Sequence, residues 1–165
     1  MFKAVAKIFL LIFWIFLACL VALLIKKFGS KYSFDKATKF LFATICRIIG
    51  IQVKTIGSIA DSRPLLLVSN HISYLDIFVL GAATNARFTP KSEVGKWPVI
   101  GSICRLLGAV FIERKNSKIG NAGSAIKQEL AKGEIISLFA EGTTGNGVAT
   151  LPFKSSLFQI AEEKI

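Results

Sequence analysis

A charge-free apolar segment near the N-terminus is the strongest constraint on how this chain can fold. Ile8 to Ile25 contains eighteen residues without a charged side chain. As a helix it is about 27 Å long, against a hydrocarbon core of about 30 Å. The segment is longer than the apolar region of a usual signal peptide and carries no small-x-small cleavage site. We therefore predict a retained membrane helix over residues 8–25. Lysines flank it on both sides, so the positive-inside rule leaves its orientation open. It could span the bilayer or enter one leaflet.

The positive charge of the chain is concentrated in the same N-terminal third. The formal net charge is +11, and residues 1–60 hold nine Lys or Arg against one acid, whereas the remaining 105 residues hold twelve bases against nine acids. Positive charge beside membrane-grade hydrophobicity indicates anionic lipid head groups. Neither zinc-finger spacing nor a recognisable nucleic-acid module is present in the sequence. We predict membrane lipids as partners and no nucleic acid.

A second helical pattern follows between Phe34 and Ile49. Its apolar residues recur at helical spacing on one face, while its cations lie away from that face. This predicts an amphipathic helix over residues 34–49, which lies in the membrane interface or packs on the rest of the protein. Together with the apolar helix it forms a predicted N-terminal membrane anchor, residues 1–49.

From residue 50 onward, strand and helix patterns alternate. This alternation predicts one α/β domain over residues 50–165, with a mostly parallel or mixed sheet flanked by helices. The three cysteines are scattered through apolar surroundings, so we predict neither a disulfide framework nor a metal site. The predicted strands cover 51–55, 65–69, 87–89, 109–113 and 135–139, and the predicted helices cover 74–83, 98–107 and 117–132.

The only histidine of the chain, His71, follows the second predicted strand, and Asp76 comes five residues later. Open α/β sheets usually place their chemistry at such strand ends. An Asp carboxylate that reaches back to one ring nitrogen fixes the tautomer and leaves the other nitrogen able to accept a proton. On this spacing alone, the alternative is a capping loop in which both side chains only satisfy backbone groups.

Two other predicted strands also end in polar segments. Glu141 begins a glycine-rich loop in which backbone N–H groups at Gly142 and the hydroxyl of Thr143 suit a bound anion, with a plain turn as the alternative. Glu113 and Arg114 follow another strand, and a guanidinium can bind phosphate through two parallel hydrogen bonds. A solvated sheet edge is the alternative there. Further candidate cations are Lys91 and Lys154.

These segments occur in a characteristic order: Asn-His-x4-Asp, Phe-Ile-Glu-Arg, Phe-Ala-Glu-Gly-Thr and Leu-Pro-Phe-Lys. Over about residues 50–160 that order resembles the glycerolipid acyltransferases, especially bacterial 1-acylglycerol-3-phosphate acyltransferases. The resemblance implies that residues 50–165 form an acyltransferase domain. Its implied reaction moves a fatty acyl group from acyl carrier protein or CoA to the sn-2 hydroxyl of lysophosphatidic acid, giving phosphatidic acid. No cofactor beyond this acyl co-substrate is implied.

The resemblance also implies roles for individual residues. His71 matches the catalytic base and Asp76 the residue that orients it. The block ending in Glu113 and Arg114 matches the one that holds the acceptor phosphate, with Arg114 as the main contact. Glu141, Gly142 and Thr143 match the substrate-binding Glu-Gly-Thr. The implied location is the inner (cytoplasmic) membrane, with the active site facing the cytoplasm where acyl carriers reside.

Two departures from the family pattern shape further expectations. Many relatives have Pro and Arg where this chain has Ala140 and Thr144, so we expect Lys154 or Lys91 to supply the missing cation. Relatives also usually continue into a further strand beyond the equivalent of Ile165, so we expect the domain to be incomplete at its C-terminus. The alternatives are an acyltransferase for another acceptor, such as lyso-ornithine lipid, and an inactive membrane-anchored lipid-binding fragment.

Overall fold

The protein divides into two compact units. The computed structural model describes residues 2–113, 119–155 and 158. The first unit comprises residues 1–59 and 77–85, and the second comprises residues 60–76 and 86–165. The first is helical and the second contains the β-sheet.

The first helix, α1, runs from Phe2 to Phe28 and contains the whole apolar segment. Its Ala4–Phe28 stretch is long and apolar enough to cross a membrane by length and composition. Of the described side chains of α1, Ala22 is buried, whereas large apolar side chains around the rest of the helix are exposed. Exposure of so many large apolar groups to water would be costly, and it is typical of a helix whose surroundings are lipid.

Helix α2 spans Lys31–Ile49 and has clear signals at both ends. The Ser30 hydroxyl accepts a hydrogen bond from the Ser33 N–H at 3.2 Å, which satisfies a free donor of the first turn. Gly50 ends the helix with φ 91°, a left-handed conformation that favours glycine. The buried face of α2 consists of Leu41, Phe42, Ile45 and Cys46.

The helices of the first unit pack closely through aromatic residues. The rings of Trp14 in α1 and Phe40 in α2 meet edge to face, with centroids 5.8 Å apart. Helix α3, Asp76–Ala83, approaches α2 so closely at Gly81 that a Cβ atom there would overlap the Phe42 ring. Only glycine permits that approach, so the buried face of α2 packs against α3 at this point. The membrane anchor over residues 1–49 stays a prediction.

The second unit is built on a parallel three-stranded sheet. Its strands are β1 (Leu65–Ser69), β2 (Arg87–Phe88) and β3 (Ile135–Phe139), in the order β1-β3-β2. Every residue of the central strand β3 is buried, as expected for a strand covered on both faces. Ser69 at the end of β1 is in register with Phe139 at the end of β3. The predicted α/β class with a mostly parallel sheet is confirmed.

Helices are interspersed with these strands, and the helix before β3 packs on that strand. A 3₁₀ helix at Ser92–Lys96 leads into α4 (Pro98–Leu106), and α5 (Ile119–Ala131) precedes β3. The core is formed by apolar residues from α5, β3 and the segment before residue 113. These are Val110, Ile112, Ile126, Leu130, Ile136 and Leu138.

Two predicted strands differ from the structure. Residues 51–55 form no strand, because this alternating segment belongs to the helical first unit and not to the sheet-containing second unit. Residues 109–113 pair with the chain after β2 only through one bridge, between Ile112 and Lys91. The Val110 and Ile112 N–H groups still donate to the carbonyls of Phe88 and Pro90, so this segment continues the sheet as a short parallel extension.

Candidate active site

His71 and Asp76 form a direct hydrogen-bonded pair just beyond the end of β1. The Nδ1 atom of His71 lies 2.8 Å from Oδ2 of Asp76. A carboxylate only accepts hydrogen bonds, so Nδ1 carries the proton and Nε2 is left with a lone pair. Within the described ranges, no hydrogen bond involves Nε2. The pair has the arrangement that a general base requires.

The turn between these two residues holds the carboxylate in place. Oδ2 of Asp76 also accepts hydrogen bonds from the backbone N–H groups of Ile72 at 2.7 Å and Ser73 at 3.0 Å. The Ser73 hydroxyl in turn accepts from the Leu75 N–H at 3.2 Å, which closes the turn that leads into α3. The capping role and the pairing role of Asp76 therefore coexist in the structure.

The surroundings of Asp76 favour its ionised form. Burial acts to raise its pKa, but the hydrogen bonds from Ser73, His71 and Ile72 together outweigh burial, and the pKa of Asp76 lies below its ordinary value. Asp76 therefore stays an anion over the physiological pH range. An anion at this position stabilises the imidazolium that forms when Nε2 takes a proton.

The imidazole of His71 stacks on Phe139, the last residue of β3. The two ring centroids are 3.9 Å apart and the ring planes differ by 17°. The side chain of His71 is only 12% exposed, and Phe139 fixes the plane in which it can turn. Asp76 from its own turn and Phe139 from the neighbouring strand thus restrict both the direction and the tilt of the ring.

Glu141 supports the site through the backbone. Its side chain is buried, with 3% of the residue exposed. Oε2 accepts a hydrogen bond from the His71 N–H at 3.0 Å, and Oε1 accepts one from the Leu151 N–H at 2.8 Å. Glu141 therefore ties the end of β1 to the chain beyond the glycine-rich loop. The sequence did not predict this link, and its substrate-binding role stays a prediction.

The glycine-rich loop folds back on the histidine. The Gly145 N–H donates to the carbonyl of His71 at 2.7 Å, and the Lys154 N–H donates to the carbonyl of Ala140 at 2.9 Å. Gly142 has φ +72°, and a Cβ atom on it would lie 2.9 Å from Nζ of Lys154. The Lys154 ammonium therefore lies beside Gly142. That Lys154 or Lys91 replaces the arginine missing at Thr144 stays a prediction.

The other predicted binding residues stand along the same sheet edge or fall outside the described residues. Lys91 is bridged to Ile112, which places it one residue from Glu113, and both side chains are exposed. Thr143 is exposed in the loop after β3. Arg114 lies outside the described residues. Because parallel strands end at one edge, the segments carrying His71, Glu141, Lys91 and Glu113 all leave the sheet on the same side.

Metal ligands do not cluster in this site or elsewhere in the described parts of the chain. Residues 2–113 and 119–155 contain no group of three or more His, Cys, Asp and Glu side chains that could hold a metal ion. The expectation that the reaction needs no cofactor stays a prediction.

The family model Acyltransferase matches residues 50–164 of the chain. The chain belongs to the acyltransferase family. It is 39% identical over 157 residues to a lyso-ornithine lipid O-acyltransferase of Brucella abortus, covering 90% of this chain and 59% of that protein. It is 38% identical over 116 residues to a 1-acyl-sn-glycerol-3-phosphate acyltransferase of Neisseria gonorrhoeae, covering 68% of this chain and 44% of that protein. This family member thus spans about half the length of these relatives.

The fold is also that of a solved acyltransferase. The crystal structure of PlsC, the 1-acyl-sn-glycerophosphate acyltransferase from Thermotoga maritima, matches with a TM-score of 0.72 and 22% sequence identity. The match covers 96% of this chain and 70% of that one. Together with the family model, this confirms the predicted family and the predicted glycerolipid acyltransferase-like fold.

Proposed function

We propose that this acyltransferase-family protein transfers a fatty acyl group from a thioester carrier to a free hydroxyl of a lysolipid at a membrane surface. The observation that carries the proposal is the 2.8 Å hydrogen bond between Nδ1 of His71 and Asp76, which leaves Nε2 as a proton acceptor. The donor is acyl-CoA or acyl carrier protein, and no further cofactor takes part.

The proposed step needs no enzyme nucleophile, because a thioester is already activated. Nε2 of His71 removes the proton from the lysolipid hydroxyl while the hydroxyl oxygen attacks the thioester carbonyl carbon. An ester C–O bond forms and the C–S bond breaks. The departing thiolate takes the proton from the imidazolium, so the free thiol leaves and His71 returns to its neutral form. Asp76 stabilises the imidazolium between these events.

The acceptor is proposed to carry an anionic head group near Gly142. The Lys154 ammonium lies beside Gly142 and supplies positive charge there. The first candidate acceptor is lysophosphatidic acid, whose phosphate would also contact Arg114 and Lys91. The second is lyso-ornithine lipid, whose anion is a carboxylate. It is favoured by Thr144 in place of an arginine and by the Brucella abortus relative.

The proposed location is the inner membrane, with the site facing the cytoplasm. The length, composition and exposed apolar surface of α1 support membrane attachment. The cytoplasmic face is proposed because acyl carriers reside there.

The decisive experiment measures release of free thiol from acyl-CoA and from acyl carrier protein, each with lysophosphatidic acid or lyso-ornithine lipid. We expect thiol release that depends on one added lysolipid. His71→Ala should lower it by about 10² to 10⁴, the usual contribution of a positioned base, while the protein stays folded and membrane-bound. Near-normal turnover of His71→Ala would exclude the proposed base. If the chain binds lipid but releases no thiol with either lysolipid, it acts as a lipid-binding fragment instead.

A further inference from the structure

Several exposed apolar residues of the second unit lie close together in sequence at the beginning of one helix. They are Trp97, Val99 and Ile100, at the beginning of α4, and we call them the Trp97 patch. These residues are 51%, 69% and 47% exposed. Since large apolar groups are usually exposed singly, three within four consecutive residues are an unusual local concentration of exposed apolar surface.

The N-cap position of the helix at this patch lacks a side-chain acceptor. Trp97 occupies the N-cap position and makes no side-chain capping bond, and an indole can only donate. Ser, Thr, Asp and Asn are the usual residues there, because their oxygens accept from the first free N–H groups. Pro98 occupies the first helical position and has no N–H, so the early donors without a side-chain cap are the N–H groups of Val99 and Ile100. These two groups favour an anion at this end of the helix.

Cations lie beside the apolar residues. Lys96 immediately precedes Trp97 and is exposed. Arg105 returns to the same place from the end of α4, because its Nη1 donates to the Gly95 carbonyl at 2.7 Å. One carboxylate, Glu93, stands on the preceding 3₁₀ helix. The patch thus combines an indole, two aliphatic side chains and a net positive rim, which is the composition of a surface that sits at the level of lipid head groups.

We propose that the Trp97 patch is a membrane contact of the second unit, inserted at the head-group level of a bilayer that contains anionic lipid. Trp97, Val99 and Ile100 enter the boundary of the hydrocarbon, while Lys96, Arg105 and the N–H groups of α4 face lipid phosphates. This contact involves residues of the second unit alone, and it stands whether or not the proposed acyl transfer is correct. It gives the sheet-bearing unit its own attachment to the membrane.

The tryptophan content of the chain makes this proposal directly measurable. The sequence contains two tryptophans, Trp14 in α1 and Trp97. Trp14→Phe leaves Trp97 as the sole indole, and Trp97→Phe leaves Trp14. Each variant is reconstituted as the full chain in vesicles of phosphatidylcholine and phosphatidylglycerol, with or without lipids brominated in their acyl chains. Bromine quenches indole fluorescence only at short range, so quenching reports contact with the bilayer.

We expect brominated lipid to reduce the Trp97 emission to roughly half or less, as for an interfacial indole. Val99→Asp in the Trp14→Phe background should abolish most of this quenching, whereas Val99→Leu should preserve it. Lys96→Gln should weaken the quenching, and so should removal of phosphatidylglycerol, because both remove the attraction between the cationic rim and anionic lipid.

The quenching of Trp14 in the same vesicles serves as the insertion control. If Trp14 is quenched while Trp97 is not, the protein is attached and the Trp97 patch is not a membrane contact. If Trp97 is also shielded from a water-soluble quencher in that case, another protein surface covers it, and the proposal is equally overturned. Quenching of Trp97 that is unchanged by Val99→Asp would likewise show that the patch does not make the contact.

Discussion

The sharpest prediction from this site concerns Glu141, whose carboxylate holds the backbone of the catalytic turn. We consider the variant Glu141→Gln, which keeps the size of the side chain. In the wild-type protein the two carboxylate oxygens accept from the N–H groups of His71 and Leu151 at 3.0 and 2.8 Å. A glutamine has one oxygen and one NH₂ group, so it satisfies one of these donors and turns a donor toward the other.

The expected magnitude follows from that mismatch. Leaving one partly buried N–H without an acceptor costs about 1 to 3 kcal/mol, and the lost bond was charge-assisted. We therefore expect the free energy of unfolding to fall by about 2 kcal/mol. The unsatisfied donor should also displace the backbone of His71. We expect this to lower kcat about tenfold to a hundredfold, which corresponds to a loss of about 1.4 to 2.7 kcal/mol of transition-state stabilisation. The KM for the lysolipid should change little, because Glu141 acts through His71.

The assay is thiol release at varied lysolipid concentration, normalised to the folded fraction of each variant. Glu93→Gln is the matched control, because it removes the same charge from an exposed carboxylate, and it should leave kcat unchanged. A raised KM with an unchanged kcat in Glu141→Gln would refute the positioning argument, and it would support the substrate-binding role that the family resemblance implies.

Two further predictions test the same turn and loop. Because the pKa of Asp76 is lowered on folding, its contribution to stability is present above the ordinary carboxyl pKa of about 3.9 and is lost as the pH falls through the lower folded value. The free energy of unfolding, measured from pH 6 down to about 2, should therefore fall more steeply for wild type than for Asp76→Asn. Parallel dependence on pH in the two proteins would contradict this reasoning. Gly142→Ala places a Cβ at φ +72° and against Lys154, so it should cost about 1 to 2 kcal/mol of stability. Gly145→Ala, which meets only ordinary contacts, should cost clearly less, and equal losses in thermal unfolding would argue against backbone strain at Gly142.

The parts of the site that the sequence predicted are the local ones. His71 and Asp76 are five residues apart in one turn, so their contact depends on few backbone angles, and the structure shows it. Helices α1 and α2 and strands β1 and β3 were also predicted, since α2 carries an amphipathic stripe and the other three carry continuous apolar runs. Such patterns depend on neighbours along the chain and not on the rest of the fold.

The parts that were not predicted depend on which strands are neighbours. Phe139 stacks on His71 and Glu141 binds its N–H only because β1 and β3 are adjacent, with Ser69 opposite Phe139. Nothing in the periodicity of either strand specifies that register. A signal was present, because both strands end in polar motifs, and adjacent parallel strands bring such ends together. The strand predicted over residues 51–55 was wrong because alternation predicts an extended chain but does not supply a neighbouring strand to pair with.

The adjacency of β1 and β3 also explains why a histidine with one carboxylate partner can serve as an oriented base here. One aspartate fixes Nδ1 but leaves the ring able to rock about the hydrogen bond. Phe139 removes that freedom by stacking at 3.9 Å, and Glu141 fixes the backbone from which the ring projects. Both come from the end of β3, so the sheet register itself positions the base. A change that shifted β3 by one residue would turn Phe139 and Glu141 to the opposite faces while leaving the His71–Asp76 hydrogen bond intact. The pairing is thus a property of the turn, whereas the orientation of Nε2 is a property of the sheet.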